Sequence, residues 1–158
     1  MSLRWLIALA ALTLARGVAA DPEPRCHARG PLPDLACTPG AVEIHDTATL
    51  CGETTRERRH VTEATKRAVL VSYGVPWAAR DGYEVDHLIS LELGGSNDAA
   101  NLWPEAAEPR PGFHEKDQVE NYLHREVCAG RMPLADAQHV IATDWLSIYP
   151  RIAKDGGR

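Results

Sequence analysis

The sequence of 158 residues lacks three features: a Cys-x-x-Cys pair, a hydrophobic run long enough to cross a bilayer, and an excess of positive charge. Without paired Cys-x-x-Cys spacing, its four cysteines do not match the usual pattern of a structural zinc site. Without a long apolar run, no membrane-spanning helix is predicted. Its 17 Lys and Arg face 22 Asp and Glu, a net charge of −5. That balance argues against a protein that coats nucleic acid by bulk charge, and leaves room for a local basic patch.

The first twenty residues have the features of a secretory signal peptide. Arg4 precedes the short apolar run WLIALAALTLA, and Val18 and Ala20 are small residues at the positions that signal peptidase recognises. We expect cleavage after Ala20, with an uncleaved anchor as the alternative. Removing residues 1–20 takes away Arg4 and Arg16 and no acid, so 15 basic residues would face 22 acidic ones, a net charge of −7. The sequence thus predicts an exported protein, periplasmic or secreted.

All four cysteines lie beyond the predicted cleavage site, at Cys26, Cys37, Cys51 and Cys128. An even number of cysteines in an exported chain favours two disulfides. Four cysteines allow three pairings, and sequence alone does not select one. The pairing that we favour joins Cys26 to Cys37 and Cys51 to Cys128. A zinc site made of all four cysteines is the alternative.

The chain beyond the signal divides into an irregular lead-in and one compact domain. Residues 21–40 hold five of the eleven prolines, which predicts irregular structure, and residues 41–158 show no repeats and no linker long enough to divide them. Residues 41–51 predict one or two short strands. A helix is predicted in the following segment, with Thr62 as its N-terminal cap and Gly74 as its C-terminal stop.

The second half of the domain predicts an α+β fold in the order strand, loop, strand, loop, helix. Residues 83–93 look extended, GGSNDAAN makes the loop, and NLWP forms a second short strand that Pro104 ends. Apolar residues repeat with helical spacing over residues 114–129, and again over a last helix at 133–149. The 138 residues that remain after cleavage, 158 less 20, are enough for a modest hydrophobic core.

Asp86 and His87 carry the chemistry that this pattern suggests. Adjacent side chains of a strand point to opposite faces, so the two can share a site only where the strand ends or twists. A carboxylate is a hard oxygen ligand that suits Mg²⁺ or Mn²⁺, and a neutral imidazole is the usual general base near neutral pH. The pair therefore predicts metal-assisted hydrolysis.

Three further residues are candidates for the same site. Asn101 opens the second predicted strand, where its side-chain oxygen can accept the imidazole N–H of His87 and fix the ring's tautomer, or where it simply caps a turn. His114, near the start of the next helix, is a candidate second metal ligand or an ordinary exposed histidine. Glu120 shares a helix face with Lys116 and is an alternative ligand.

The run DHLISLELGGSNDAANLW, followed by His114, resembles the HNH endonuclease signature. The match extends from about Tyr83 to His124 within a motif core of 83–129, and a wider frame of the chain resembles small exported bacterial HNH-type proteins. The resemblance implies a ββα-metal hairpin-helix centre with flanking helices, here stabilised by disulfides, and hydrolysis of nucleic-acid phosphodiesters. It implies that Asp86 and His114 are metal ligands, that His87 is the general base and that Asn101 orients His87.

Two departures from the HNH pattern are visible. Ser90 stands where many HNH motifs carry proline, which would stiffen the strand. The paired Cys-x-x-Cys zinc knuckles of many HNH proteins are missing, and disulfides can replace them in an exported chain.

The expected function is a divalent-metal-dependent nuclease with little sequence specificity, using Mg²⁺ or Mn²⁺, with Zn²⁺ as a further option. DNA is favoured over RNA as the substrate, and no protein partner is implied. The alternative is a non-catalytic exported binding module that keeps an HNH-like scaffold.

A basic cluster stands out before and within the first predicted helix. As a phosphate-contact surface it would suit a nuclease. Alternatively it is a solvated helix face whose charge is partly cancelled by Glu57 and Glu63. Its members are Arg56, Arg58, Arg59, Lys66 and Arg67.

Overall fold

The computed structural model describes residues 25–52 and 54–155, so the predicted signal peptide and the first prolines of the lead-in lie outside it. The described part combines α-helices with one two-stranded antiparallel sheet, as predicted for an α+β protein. The elements are α1 (Thr47–Gly52), α2 (Thr55–Arg58), α3 (Glu63–Ser72), β1 (Tyr83–His87), β2 (Leu102–Ala106), α4 (Phe113–Cys128), α5 (Leu134–Thr143) and α6 (Trp145–Asp155). None of the helices in this part of the chain is both long and apolar enough to cross a membrane.

The two strands form a hairpin whose register runs from Tyr83 opposite Ala106 to His87 opposite Leu102. The expectation that Pro104 ends the second strand is wrong, because Pro104 pairs with Val85 and the strand continues to Ala106. Each strand of a two-stranded sheet has an unpaired edge, where a residue without an N–H group is tolerated. The first strand is shorter than predicted, because the chain leaves the extended conformation after His87.

The loop between the strands is held by the side chain of Asn101, which is fully buried. Its amide nitrogen donates to the carbonyls of Ile89 and Ser96, both at 2.9 Å, and its oxygen accepts the N–H of Ile89 at 2.9 Å. Gly95 lies so close to this network that an added Cβ would stand 1.7 Å from the Ile89 carbonyl oxygen. The loop therefore requires glycine here.

The helices partly follow their predictions. Thr62 caps α3 by accepting the N–H of Thr65 at 3.1 Å, as predicted. Residues 41–51 do not form the predicted strands, since they contain most of α1 and only an isolated bridge between Val42 and Gly95. The predicted last helix is two helices, because the chain leaves the helical conformation at Asp144, where φ is −145° and ψ is 21°. The Ser147 hydroxyl donates to the Asp144 carboxylate at 2.7 Å.

The hydrophobic core lies between α4 and the two C-terminal helices. The apolar stripe of α4 (Val119, Leu123 and Val127) is buried against Ile141 and Trp145, as its helical spacing indicates. This packing fixes α4 in position, and the opposite side of its first two turns faces the hairpin.

Two disulfides join the pairs that the sequence favoured, Cys26 with Cys37 and Cys51 with Cys128. The first closes the lead-in on itself over 11 residues, and the second ties α1 to the end of α4 over 77 residues. Crosslinks over longer loops restrict the unfolded chain more strongly in the chain-entropy account. The Cys51–Cys128 bond is therefore the larger constraint on the fold.

Ser90, at the position where many HNH motifs carry proline, has a φ of −63°, which lies within the range that a proline ring imposes. Its buried hydroxyl has no hydrogen-bond partner among the described residues. We expect Ser90→Pro to raise the free energy of unfolding by about 0.4–1 kcal/mol, because the unfolded chain loses freedom and the folded chain keeps its conformation. Urea unfolding measures the change, and Ser90→Ala separates loss of the hydroxyl from gain of the ring. A Ser90→Pro variant less stable than Ser90→Ala would contradict a proline-compatible backbone.

Candidate active site at the end of the hairpin

Asp86 and His87 line one cleft, because β1 ends at His87 and the chain turns away there. The strand end supplies the condition under which neighbouring side chains can meet in one site. The cleft has a volume of about 260 Å³, and both side chains are buried at its base. Residues of α4 form the other side of the cleft. The charged and polar residues that line it include Arg59, Asp86, His87, Asp117, Glu120 and Asn121.

The imidazole of His87 is oriented by Asn97, a residue of the loop that connects the strands. The Asn97 amide nitrogen donates to the carbonyl of Arg58 at 2.8 Å, which turns its oxygen towards the Nε2 atom of His87, 3.2 Å away. An amide oxygen can only accept a hydrogen bond, so Nε2 carries the hydrogen of the neutral ring. The Nδ1 atom keeps the lone pair, and it is buried with no hydrogen-bond partner in the described part of the chain.

Burial lowers the pKa of His87 below the ordinary value of 6.5, although the negative charge of Asp86 and the contact with Asn97 act in the opposite direction. The ring is therefore neutral at neutral pH and stays neutral further into the acid range than an exposed histidine. A neutral imidazole with a free lone pair is the form that can accept a proton.

The predicted contact between Asn101 and His87 is wrong. The Asn101 amide makes its hydrogen bonds to the loop backbone at Ile89 and Ser96, and its oxygen also accepts the N–H of Ala41. The carbonyl of Asn101 accepts the N–H of Leu88 at 2.8 Å, so the residue holds the backbone directly after His87. Asn101 thus shapes the loop, and Asn97 contacts the ring. In the sequence, only the position of Asn97 within the loop GGSNDAAN could have pointed to its contact with His87.

Lys116, on α4, is fully buried beneath the cleft and joins the helix to both strands. Its ammonium nitrogen lies 2.6 Å from Asp86 Oδ2, 2.8 Å from the carbonyl oxygen of His87 and 3.8 Å from Glu105 Oε2. It also donates to Glu120 Oε1, one helical turn further along α4. One cation is therefore shared by three carboxylates from three elements, and it fixes the end of β1 against α4.

The charges of this cluster are distributed unequally. Burial acts to raise the pKa of Asp86, but the charge and hydrogen bond of Lys116 hold it below its usual value. Burial also acts to lower the pKa of Lys116, and its three acidic neighbours, Asp86 first, raise it well above the usual range. Burial raises the pKa of Glu105 to about 9 and that of Glu120 to about 8. The cluster at neutral pH is thus an ionised Asp86–Lys116 pair beside acids that favour their neutral form.

Glu105 provides a test of this charge distribution. Because its folded pKa lies above its unfolded value, its contribution to stability is complete below about pH 4.5 and is lost as the pH rises towards 9. We expect Glu105→Gln to gain stability relative to the wild type by roughly 1 kcal/mol per pH unit between pH 6 and pH 8. Urea unfolding at the two pH values measures this, with the exposed Glu43→Gln as control. Parallel pH profiles for Glu105→Gln and wild type would contradict a protonated Glu105.

The cleft is lined by oxygen donors of the type that hard divalent cations prefer. Asp86, Asp117 and Asn121 offer carboxylate and amide oxygens from facing elements, as Mg²⁺ and Mn²⁺ require. Partial burial raises the pKa of Asp117, and the charge of Asp86 adds to that rise, so the two carboxylates sense each other. A cation between them would relieve their repulsion.

The other predicted ligands are placed differently. His114 is exposed, one helical turn before Asp117 and outside the lining of the cleft, with its ring 4.2 Å from that of Phe113. Glu120 lines the cleft, and its Oε1 is already occupied by Lys116. Asp117, which the sequence analysis did not single out, lines the cleft, and His114 does not.

Within the described residues, a group with three histidine, cysteine or carboxylate ligand atoms within 4.8 Å of one another lies elsewhere, at Cys51, His124 and Cys128. Its two cysteines form a disulfide, so neither thiolate is free to bind a metal in this state.

The predicted basic cluster does not converge on the cleft. Arg59 alone among its members lines the cleft, and its guanidinium lies 3.4 Å from Glu84. Arg58 donates to the carbonyl of Leu91, and Lys66 pairs with Glu63 at 3.0 Å. Arg67 lies over the ring of Trp77, with 3.7 Å from guanidinium carbon to ring centroid, and Arg56 is exposed on α2.

No family model, curated protein or solved structure matches this chain. The resemblance to the HNH signature therefore rests on the residues of the motif.

Proposed function

We propose that this protein is an exported, divalent-cation-dependent nuclease whose active site is the cleft at the end of the hairpin. The observation that carries the proposal is the neutral His87 imidazole, held by Asn97 at Nε2 and left with an unpartnered Nδ1 beside the ionised Asp86. This pairing of a base with a hard oxygen ligand suits hydrolysis of a phosphodiester. The HNH resemblance of the surrounding motif agrees with it, and implies a ββα-metal centre built from β1, β2 and α4.

In this proposal His87 is the general base. Nδ1 accepts a proton from a water molecule that enters the cleft, and the hydroxide attacks phosphorus. Asn97 keeps the ring in the tautomer that leaves Nδ1 free, because it accepts the hydrogen of Nε2. Because the pKa of His87 is lowered, the ring stays unprotonated and can act as a base at neutral pH and at pH values below the ordinary histidine pKa.

Asp86 and Asp117, with Asn121, would hold the divalent cation. Such an ion, when bound, supplies positive charge that stabilises the phosphorane and the leaving oxygen. Lys116, which also donates to the His87 carbonyl, fixes Asp86 in position, and Arg59 on the cleft wall is available to contact a phosphate oxygen. Contacts of this kind are made to the backbone of nucleic acid and carry no sequence information, which suits a nuclease with little specificity.

Export is supported by the two disulfides and by the signal-like first residues. Disulfides persist in oxidising compartments and are rare in the cytosol. With an N-terminal segment of signal-peptide character, they suit a protein that acts in the periplasm or outside the cell.

A second function, a non-catalytic binding module on the same scaffold, is favoured by one contact. Lys116 already neutralises Asp86 and occupies one oxygen of Glu120, which reduces the negative charge and the free oxygens available to a metal ion. A domain that has lost its activity could keep such an internal cation in place of the external one.

Plasmid cleavage distinguishes the two functions. Purified protein without residues 1–20, with both disulfides formed, is incubated with supercoiled DNA and Mg²⁺ or Mn²⁺, with and without a chelator. The nuclease proposal predicts conversion to the nicked form that the chelator prevents. Intact DNA with every cation, from protein whose circular dichroism shows a folded state, would favour the binding module. RNA assayed in parallel tests the preference for DNA.

A further inference from the structure

A second candidate site lies at the end of α4, and it does not depend on the nuclease proposal. Cys51 on α1 and Cys128 at the end of α4 are solvent-exposed, and His124 stands one helical turn before Cys128. The ligand atoms of the three residues lie within 4.8 Å of one another, and His124 Nε2 is 3.4 Å from Cys128 Sγ. The geometry points to a redox-dependent metal site: when the Cys51–Cys128 disulfide is reduced, Cys51, His124 and Cys128 bind a thiophilic divalent cation such as Zn²⁺.

The arrangement matches the geometry that zinc requires. With Zn–S of about 2.3 Å and Zn–N of about 2.0–2.1 Å, tetrahedral binding separates sulfur from nitrogen by roughly 3.5 Å and two sulfurs by roughly 3.8 Å. The distance from His124 Nε2 to Cys128 Sγ already has that value. The two sulfurs must move apart after reduction, which rotation of two exposed side chains permits. A water molecule would complete the four ligands.

The chemistry occurs in two balanced steps. An external dithiol reduces the disulfide by transferring two electrons and two protons, and becomes a cyclic disulfide itself. Zinc then displaces two protons from the thiols of Cys51 and Cys128, while the neutral imidazole of His124 donates its lone pair. A disulfide oxidant reverses the process: it accepts two electrons from the two thiolates and two protons from solvent, becomes a dithiol, and the Cys51–Cys128 bond forms again as the ion is released.

Accessibility distinguishes this disulfide from the other. Cys51 and Cys128 are both exposed, whereas Cys26 is only 4% exposed. A reductant therefore reaches the Cys51–Cys128 bond more easily. Because the same residues bridge α1 and α4 in both states, the metal would hold the two helices together in a reducing compartment, and the disulfide would hold them in an oxidising one.

The site can be tested with Co²⁺ as a spectroscopic probe. The protein is reduced with a dithiol, freed of reductant without oxygen, and titrated with Co²⁺, followed by Zn²⁺ in competition. We expect about one equivalent of Co²⁺ to produce thiolate-to-cobalt absorption in the reduced protein, and none in the oxidised protein. His124→Ala should weaken binding by more than about tenfold, since even the outer partners of a metal ligand have effects of that size. The exposed His139→Ala is the matched control.

Two further experiments make the result decisive. A Cys26→Ser/Cys37→Ser variant excludes binding by the other pair, and circular dichroism follows the fold after reduction. If the reduced chain unfolds, addition of Zn²⁺ must restore its helical signal. Absence of cobalt absorption, equal affinity in His124→Ala, equal binding by oxidised protein, or reduced protein that Zn²⁺ does not refold would each overturn the site. None of these readouts uses DNA cleavage, so they stand apart from the proposed nuclease activity.

Discussion

Lys116→Met is expected to lower the free energy of unfolding by roughly 3–5 kcal/mol at pH 7, the largest stability effect that we predict for a single substitution. The ammonium of Lys116 is fully buried and compensates the ionised Asp86, and it also contacts Glu120 and lies 3.8 Å from Glu105. Methionine fills a similar volume and carries no charge, so Asp86 would be left as a buried carboxylate without its cation. Breaking a buried ion pair from one side costs more than replacing the whole pair.

The cost of Lys116→Met should shrink in acid. In the wild type the pKa of Asp86 is held low, so its contribution to stability is present above about pH 4 and is lost as the pH falls through the folded pKa. Without Lys116 the carboxyl accepts a proton more readily, and the two proteins converge at low pH. Urea unfolding at pH 7 and pH 4 measures this. Lys66→Met, which removes an exposed lysine paired with Glu63, is the control and should change little. A cost for Lys116→Met no larger than that of Lys66→Met would contradict the buried cluster.

Much of the fold follows from local sequence signals, and the differences have physical causes. Thr62 and the apolar spacing of α4 predicted helices where they occur, because capping and amphipathic periodicity act within a few residues. The prediction from Pro104 was wrong because the energetic cost of a proline in a strand depends on whether that edge of the strand is unpaired. The arrangement of the sheet decides this, and the local sequence does not show it. Asp144 is equally ambiguous in sequence, because aspartate is tolerated inside a long helix and is also a favoured residue at the N-terminus of a new helix.

The candidate site was found only in part from the sequence. The adjacent Asp86 and His87 are recognisable because their chemistry and position at a strand end are local. Asn97 and Asn101 lie in the same loop, and only the path of the chain decides which of them meets the ring. The sequence places Lys116 on one helix face with Glu120 through their spacing, whereas the burial of Lys116 depends on where the hairpin packs.

His87→Ala is expected to lower the rate of DNA cleavage by roughly 10²–10⁴-fold, the usual contribution of a positioned general base. The substitution removes the neutral imidazole and leaves Asp86, Asp117 and Lys116 in place, so the divalent cation should still bind. Asn97 loses one contact to its oxygen, which also accepts the N–H of His60 at 3.2 Å, so the loop keeps a partner and the fold should survive. Circular dichroism and metal titration check those two conditions.

The most direct test of the proposed active site compares cleavage rates of wild type, His87→Ala and His114→Ala on one supercoiled plasmid with saturating Mn²⁺. Our account predicts that His87→Ala loses nearly all activity. His114→Ala should keep most of it, because His114 is exposed outside the lining of the cleft. Folded His87→Ala protein that cleaves as fast as the wild type would contradict the account, since the cleft would then not contain the base.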